Sequence, residues 1–384
     1  MSTMPHGRPL RRHWLLDEGL RFLNHGSYGA TPRAVLDAQA QWRSRMERQP
    51  DRFMVTELPA ALEAAAARLA EFVGALPGSL AFVENATAGV NTVLRSLDFA
   101  LGDEIVLSRH AYTGIRNGAQ YAATRSGARI VEAQTPFPVT DSAAIADAYA
   151  SAIGNRTRLA IVDHIGSPTA LIHPVAEIVR ACRARNVPVL VDGAHAPGSL
   201  ELDLAALDAD WYTGNCHKWL YAPKGCAFLC TAPRAQEVTR PLAISNFAGE
   251  GYWREFSWTG TRDPSAFLSV TAALDFWTEM GGAAIPAWNH RLVVEAAAKI
   301  NAAWGTEPTA PEAMLAGMAT LKLPWAGEAT QAIADRVHDW LLAERRIEVP
   351  VLAFDGALWC RISGQIYNDL ADYLALGEAM PQAL

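Results

Sequence analysis

The stretch that most constrains the fold runs over residues 187–230, three short apolar runs each closed by polar, glycine-punctuated residues. Residues 187–191 are apolar, broken by Pro188 and bounded by Gly193. They predict a buried parallel strand that delivers Asp192 at its carboxyl end. Open α/β sheets place their chemistry at that edge. A second run, 210–213, ends in Gly214-Asn215-Cys216-His217-Lys218-Trp219, and a third, 226–230, follows Pro223-Lys224-Gly225. An acid at one strand tip and a lysine beside a histidine at the next form a constellation.

The alternation extends upstream. Apolar runs at 80–84, 104–108, 128–132 and 158–163 read as strands, and 34–48, 59–73, 142–153 and 175–185 carry helical patterns. Strand, helix, strand at this regularity implies a mostly parallel sheet with right-handed crossovers and helices on its faces, an α/β fold. Beyond Cys230 the texture changes. Helical patterns at 264–280, 292–304 and 330–345, strands at 318–324, 347–352 and 358–363, and a helix after Asn368 suit a smaller α+β domain. The expected division of the 384 residues is an N-terminal segment (1–20) joining the small domain, a large domain (21–245) and a small C-terminal domain (246–384). By composition 249–263 reads as an exposed irregular loop.

A net charge of −7 without a dense basic run argues against nucleic acid or anionic membranes as partners. No eighteen uncharged apolar residues run together, and the N-terminus lacks the apolar core of a secretory signal. The five cysteines are odd in number and have no metal-ligand spacing, so a reducing, cytoplasmic setting and no metal are expected.

Asp192 and Lys218 suit pyridoxal phosphate. A lysine amine condenses with its aldehyde, and a carboxylate holds the pyridine nitrogen protonated so that the ring acts as an electron sink. His195, Asn215 and His217 are placed as donors to the same group. Asn85-Ala86-Thr87-Ala88-Gly89 opens a helix after a strand, and a helix amino terminus is a seat for phosphate.

The motifs VDGAHAPG and DWYTGNCHKWLYAPKGCAFL resemble those of the class V aminotransferase group of fold type I pyridoxal phosphate enzymes, and within it isopenicillin N epimerase-like proteins. The resemblance implies a large domain holding pyridoxal 5′-phosphate and a small domain beside it. Asn85, the amides of Ala86, Thr87 and Ala88, and the Thr87 hydroxyl become the phosphate cup. His110 or Tyr112 stacks on the ring, His110 being preferred, and Ser167 and Thr169 face the cofactor's phenolic oxygen or the substrate. Asn24, His25, Gly26 and Ser27 lie across the mouth as substrate contacts, and Arg361, within CRIS…YN, forks onto the substrate carboxylate. Gly260 and Thr261 reach the cofactor phosphate of a second subunit, so a homodimer with shared sites is implied, and Arg262 is a further anion contact.

The resemblance also implies a small-molecule amino acid substrate attacked at Cα, with Lys218 as base. Epimerisation leads. It calls for a second acid opposite Lys218, from His25, His110 or Tyr112, unless Lys218 serves both faces. Transamination and β-elimination from a cysteine conjugate are the alternatives, and a non-catalytic protein of the same fold is a remote one. Desulfuration is disfavoured because Cys360 sits within a strand beside Arg361 rather than on a mobile loop.

Overall fold

The structure is a computed structural model and describes residues 6–384, so the first five residues of the expected N-terminal segment lie outside it. Twelve strands fall in three sheets: β1 (Arg21–Phe22), β2 (Leu80–Val83), β3 (Glu104–Ser108), β4 (Arg129–Ala133), β5 (Thr157–Asp163), β6 (Val189–Asp192), β7 (Trp211–Asn215), β8 (Ala227–Thr231), β9 (Met318–Lys322), β10 (Ile347–Glu348), β11 (Val351–Phe354) and β12 (Ala357–Ser363). The main sheet has the order β2-β8-β7-β6-β5-β3-β4. β8 runs antiparallel to both of its neighbours and the other pairings are parallel, so β2, β3, β5, β6 and β7 point the same way. Their carboxyl ends form one edge, and the loops that follow them meet there. Both faces are covered, which is why β3 and β6 are buried along their whole length and read as unbroken apolar runs.

The covering helices include α1 (Arg33–Arg48), α2 (Leu58–Phe72), α3 (Ala86–Ser96), α4 (Thr113–Ser126), α5 (Ala143–Ala152) and α6 (Val175–Arg183). Helix α3 lies close against the sheet because residue 89 is glycine: a Cβ there would collide with the Thr213 side chain on β7. That approach fixes the amino terminus of α3 beside the ends of β2 and β7.

Residues 249–263 depart from the expected irregular loop. They contain helix α7 (Tyr252–Ser257), whose Tyr252 and Phe256 are buried, and the Tyr252 hydroxyl donates to the Leu229 carbonyl at 2.9 Å. The aromatic spacing of YWREF was the signal, since burying those rings outweighs the turn preference of the flanking glycines. Helix α8 (Val270–Glu279) packs on α1 and α2.

The remaining elements, α9 (Ala284–Trp304), α10 (Gln331–Arg345) and α11 (Leu370–Ala383), accompany an antiparallel sheet of order β11-β12-β9. The run at 347–352 is two strands instead of one. Pro350 lacks a donor, so the chain leaves β10, which pairs with β1, and re-enters as β11 on a different sheet. The β1–β10 pairing, the Gly7 amide bonded to the Ile366 carbonyl at 2.7 Å and the Arg8–Asp372 ion pair tie the N-terminal segment to the C-terminal part of the chain. They also carry residues 24–28 to the edge of the main sheet.

Candidate active site

At the carboxyl edge of the main sheet lies a cavity of about 530 Å³. Its floor is made by strand ends. Asp192, at the tip of β6, is buried and accepts from the Ala194 amide at 3.0 Å through Oδ1. Its other oxygen takes no protein donor among the described residues. Burial raises its pKa, opposed by the Ala194 amide and by Lys218. Lys218 follows β7, and its Nζ lies 3.2 Å from His195 Nε2. Burial first, and then the Arg361 guanidinium, pull the ammonium down to about 7, against the pull of Asp192. A lysine in this state offers a substantial fraction of free amine near neutral pH, which is the nucleophilic form.

His195 is buried and its Nδ1 has no partner among the described residues. Burial, helped by Lys218, holds the ring neutral, well below the usual histidine range. His217 donates from Nδ1 to the Cys226 carbonyl at 3.2 Å and is lowered to about 4, chiefly by burial. Asn215 turns its side-chain oxygen to the Ala86 amide at 2.8 Å. Asn85 caps α3 by accepting from the Ala88 amide, also at 2.8 Å. Two of the three expected phosphate amides are therefore engaged by the protein's own side chains. The Thr87 amide and hydroxyl have no protein acceptor among the described residues, and Thr87 lines the cavity.

One wall carries Arg361 on β12. It is buried, donates through Nη1 to the Ser167 carbonyl at 2.5 Å and hydroxyl at 3.2 Å, and donates through Nη2 to Ser27 Oγ at 2.9 Å. Its Nε has no partner, and burial lowers its pKa to about 10. Gly26 lines the same wall, its amide donating to Ser363 Oγ.

The remaining expected residues, Tyr112 excepted, are placed elsewhere. His25 does not line the cavity: its ring lies between the Tyr367 hydroxyl at 2.7 Å and the Lys218 carbonyl at 3.0 Å, and burial holds it neutral at about 3. It braces the backbone of the lysine. Gly29 makes that approach possible, with a φ of 67° and no room for a Cβ against the His217 carbonyl. Asn24 donates to Glu348 and accepts from Ser27.

His110 faces Asp355 in the β11–β12 turn, 2.7 Å from Nε2, with Arg109 bonded to the same carboxylate, and it does not line the cavity. Tyr112, the alternative ring, does line it and is 48% exposed. Thr169 is buried with its hydroxyl unpartnered and lies off the cavity. Gly260 and Thr261 also lie off it. Arg262 next to them donates to Glu84 on the rim at 2.7 Å and stacks on Phe267.

Sequence reasoning gave no role to Asp163, Lys224 or Tyr28, all of which line the cavity. For Asp163 the signal was present: AIVD at the end of β5 repeats the pattern of VLVD at the end of β6. Lys224 comes from a turn and Tyr28 from the end of the short helix His25–Tyr28, and neither had a comparable signal.

These residues fit pyridoxal phosphate: a carboxylate with a free oxygen, a partly deprotonated lysine, an unpartnered histidine nitrogen and a helix terminus with an unused amide surround one cavity. A mostly parallel sheet with such a lysine and carboxylate at its carboxyl edge, joined to a smaller antiparallel domain, defines the fold type I class of pyridoxal phosphate enzymes. The chain belongs to the aminotransferase class-V family, whose model matches residues 22–339. It is 33% identical over 387 residues to a probable chloroplastic L-cysteine desulfhydrase of Arabidopsis thaliana, covering 93% of this chain and 82% of that protein. It is also 33% identical over 389 residues to the isopenicillin N epimerase of Streptomyces clavuligerus, covering 96% of each. Among solved structures, a cysteine desulfurase from Thermococcus onnurineus NA1 superposes with a TM-score of 0.79 at 18% identity, covering 100% of this chain and 99% of that one. The chain is a pyridoxal phosphate-dependent enzyme of the class V family. Among the described residues no helix is long and apolar enough to cross a membrane, and no group of three or more His, Cys, Asp or Glu is placed to hold a metal.

Proposed function

We propose that the enzyme removes and returns the α-proton of an amino acid, as an epimerase of the isopenicillin N epimerase type. The observation that carries this reading is the placement of two proton-bearing groups about Asp192. Lys218 follows β7 and Tyr112 follows β3, and β6 with its Asp192 stands between those strands in the sheet order. Pyridoxal phosphate, when bound, supplies the electron sink that stabilises negative charge at the substrate Cα. Asp192 holds the ring nitrogen's proton. Thr87 and His217, with the Asn85 cap and Asn215 fixing the turn of α3, would hold the phosphate, and His195 with Ser167 would serve the phenolic oxygen. Arg361, oriented by Ser27 and Ser167, receives the substrate carboxylate. Lys218 would take the α-proton from one face, and the Tyr112 hydroxyl, which lines the same cavity, would return one to the other.

The same reading makes residues 21–245 the cofactor domain and 246–384 the small domain, with the first twenty residues joined to the latter. Gly260 and Thr261, which do not line their own cavity, would complete the site of a second copy in a cytoplasmic homodimer. Cys360 is buried and its thiol is pushed up by burial, which supports a reaction other than desulfuration.

A second reading is β-elimination of a thiol from a cysteine-like substrate. It is favoured by the 33% identity to the Arabidopsis protein named for that activity. In that case Tyr112 protonates the departing sulfur, and water carries the products on to a keto acid and ammonia. Incubation of holoenzyme with candidate amino acids in deuterated water separates the two. Deuterium at Cα with loss of optical purity and no keto acid is expected for epimerisation, whereas stoichiometric keto acid, ammonia and thiol would replace it with elimination.

A further inference from the structure

Asp163 and Asp192 are Cα partners on adjacent parallel strands, β5 and β6, at the edge where both strands end. Strand neighbours in register lie about 4.8 Å apart and direct their side chains to the same face. Both carboxyls are buried, both line the cavity, and neither forms an ion pair among the described residues. The reading above uses Asp192 and leaves Asp163 without a task.

We infer that the two carboxyl groups hold one proton between them, Asp163 being the protonated member and serving as a positioning residue that donates to the free oxygen of Asp192. Two like charges on neighbouring buried strand tips disfavour one another, which is how paired carboxylates come to share a proton. The surroundings favour Asp163 as the neutral member. Asp192 has the Ala194 amide on its Oδ1 and Lys218 nearby to stabilise its charge. Asp163 has the Asp192 carboxylate beside it, and burial followed by that neighbour pushes its pKa well above the ordinary range. Arg116 on α4 is the cation that opposes this, but its guanidinium is committed to Glu132 and to the Ser108 and Arg109 carbonyls. From the other elements, the Tyr149 hydroxyl donates to the Ile161 carbonyl and the Tyr212 phenol meets His164 Nδ1 at 2.8 Å, so neither neutralises Asp163. The consequence concerns the established cofactor. A hydrogen bond from Asp163 spreads the charge of Asp192 and sets how firmly it holds the proton on the pyridine nitrogen.

This inference rests on Asp192 as the ring-nitrogen partner, and its test has two arms. In the cofactor-free protein, the infrared difference spectrum between H2O and D2O should contain the carbonyl stretch of a buried carboxylic acid, and D163N should lose it. In the holoenzyme, the pH titration of the visible chromophore should be unmoved by D163N, which stays neutral and keeps a donor, and shifted by about one pH unit or more by D163L, which removes the donor. Absence of the carboxylic acid band from the wild type overturns the shared proton. A shift in D163N as large as that in D163L overturns it too, since it would mean that a charge had been removed. Circular dichroism melts of both variants separate these outcomes from misfolding. Failure to take up pyridoxal phosphate would remove the functional reading while leaving the infrared arm to decide the proton.

Discussion

The floor of the cavity and its rim are drawn from different parts of the architecture. Asp163, Asp192, His195 and Lys218 stand on or just past the tips of three neighbouring parallel strands, and each is at least nine-tenths buried. Glu84, Tyr112 and Tyr28 come from turns and helix termini; Tyr112 is 48% and Tyr28 73% exposed. Burial gives the floor its chemistry, since desolvation is the first cause of the lowered lysine and of both raised carboxyls. The rim retains solvent and free hydrogen-bonding groups, which suits residues that meet a variable substrate or a second subunit. The floor therefore carries the acid–base groups whose ionisation burial sets, and the rim carries the groups that burial leaves free.

The largest effect that would break this division is on the floor. Lys218→Ala should abolish the visible chromophore of the holoenzyme and lower turnover by about 10³-fold or more, as expected for loss of an acid–base group that also holds the cofactor. A variant retaining full chromophore and turnover would remove Lys218 from the chemistry. Next, Arg361→Ala should raise KM far more than it lowers kcat, with a loss of about 2 kcal/mol in kcat/KM for a charge-assisted carboxylate contact. An unchanged KM would place the substrate carboxylate elsewhere.

On the rim, Tyr112→Phe keeps the ring and removes the proton. It should leave the chromophore intact and slow deuterium incorporation by about 10²-fold when starting from one enantiomer only. Equal slowing from both enantiomers would argue for a single base. If Gly260 and Thr261 serve the neighbouring subunit, mixing Lys218→Ala with a Thr261→Trp variant, each inactive alone, should restore partial activity in steady-state assays. No recovery after subunit exchange would confine each site to one chain.

The smallest effect sharpens the comparison through stability. Four histidines are lowered with desolvation as the first cause: His25 and His173 are held at about 3 and His164 and His217 at about 4, against 6.5 when unfolded. Their folded values are depressed, so the unfolded chain takes up protons first as pH falls. The stability that these histidines contribute is therefore complete above about pH 6.5 and declines from there toward pH 4, by up to about 1.4 kcal/mol per pH unit for each histidine, opposed in part by the raised Asp163 and Asp192. Urea midpoints measured at pH 7.5, 6 and 5 should fall in that order, and a flat series would contradict the neutral assignments.

Much of the floor was legible beforehand because its signals are local. An apolar run ending in Asp192 and another ending in Asn215-Cys216-His217-Lys218 place their polar residues at strand tips wherever the strands lie. The rim was less legible. His110 and Tyr112 are two residues apart, and whether the ring over the cavity is one or the other depends on Asp355, a residue distant in sequence that captures His110 from the β11–β12 turn. His25 was legible as a mouth residue only by resemblance, and its contacts with the Tyr367 hydroxyl and the Lys218 carbonyl come from segments far away in the chain.

The sequence by itself determined the alternation of strands and helices, the parallel sheet, and the acid, histidine and lysine at adjacent strand ends, because side-chain period and turn chemistry act over a few residues. Only the tertiary structure decided that β8 runs against its neighbours, that Asp163 stands beside Asp192, that two amides of α3 are already engaged, and that Arg361 reaches the cavity from the small sheet. Each depends on contacts between segments far apart in the chain, where register and burial, rather than local preference, settle which groups meet and which of them keep their charge.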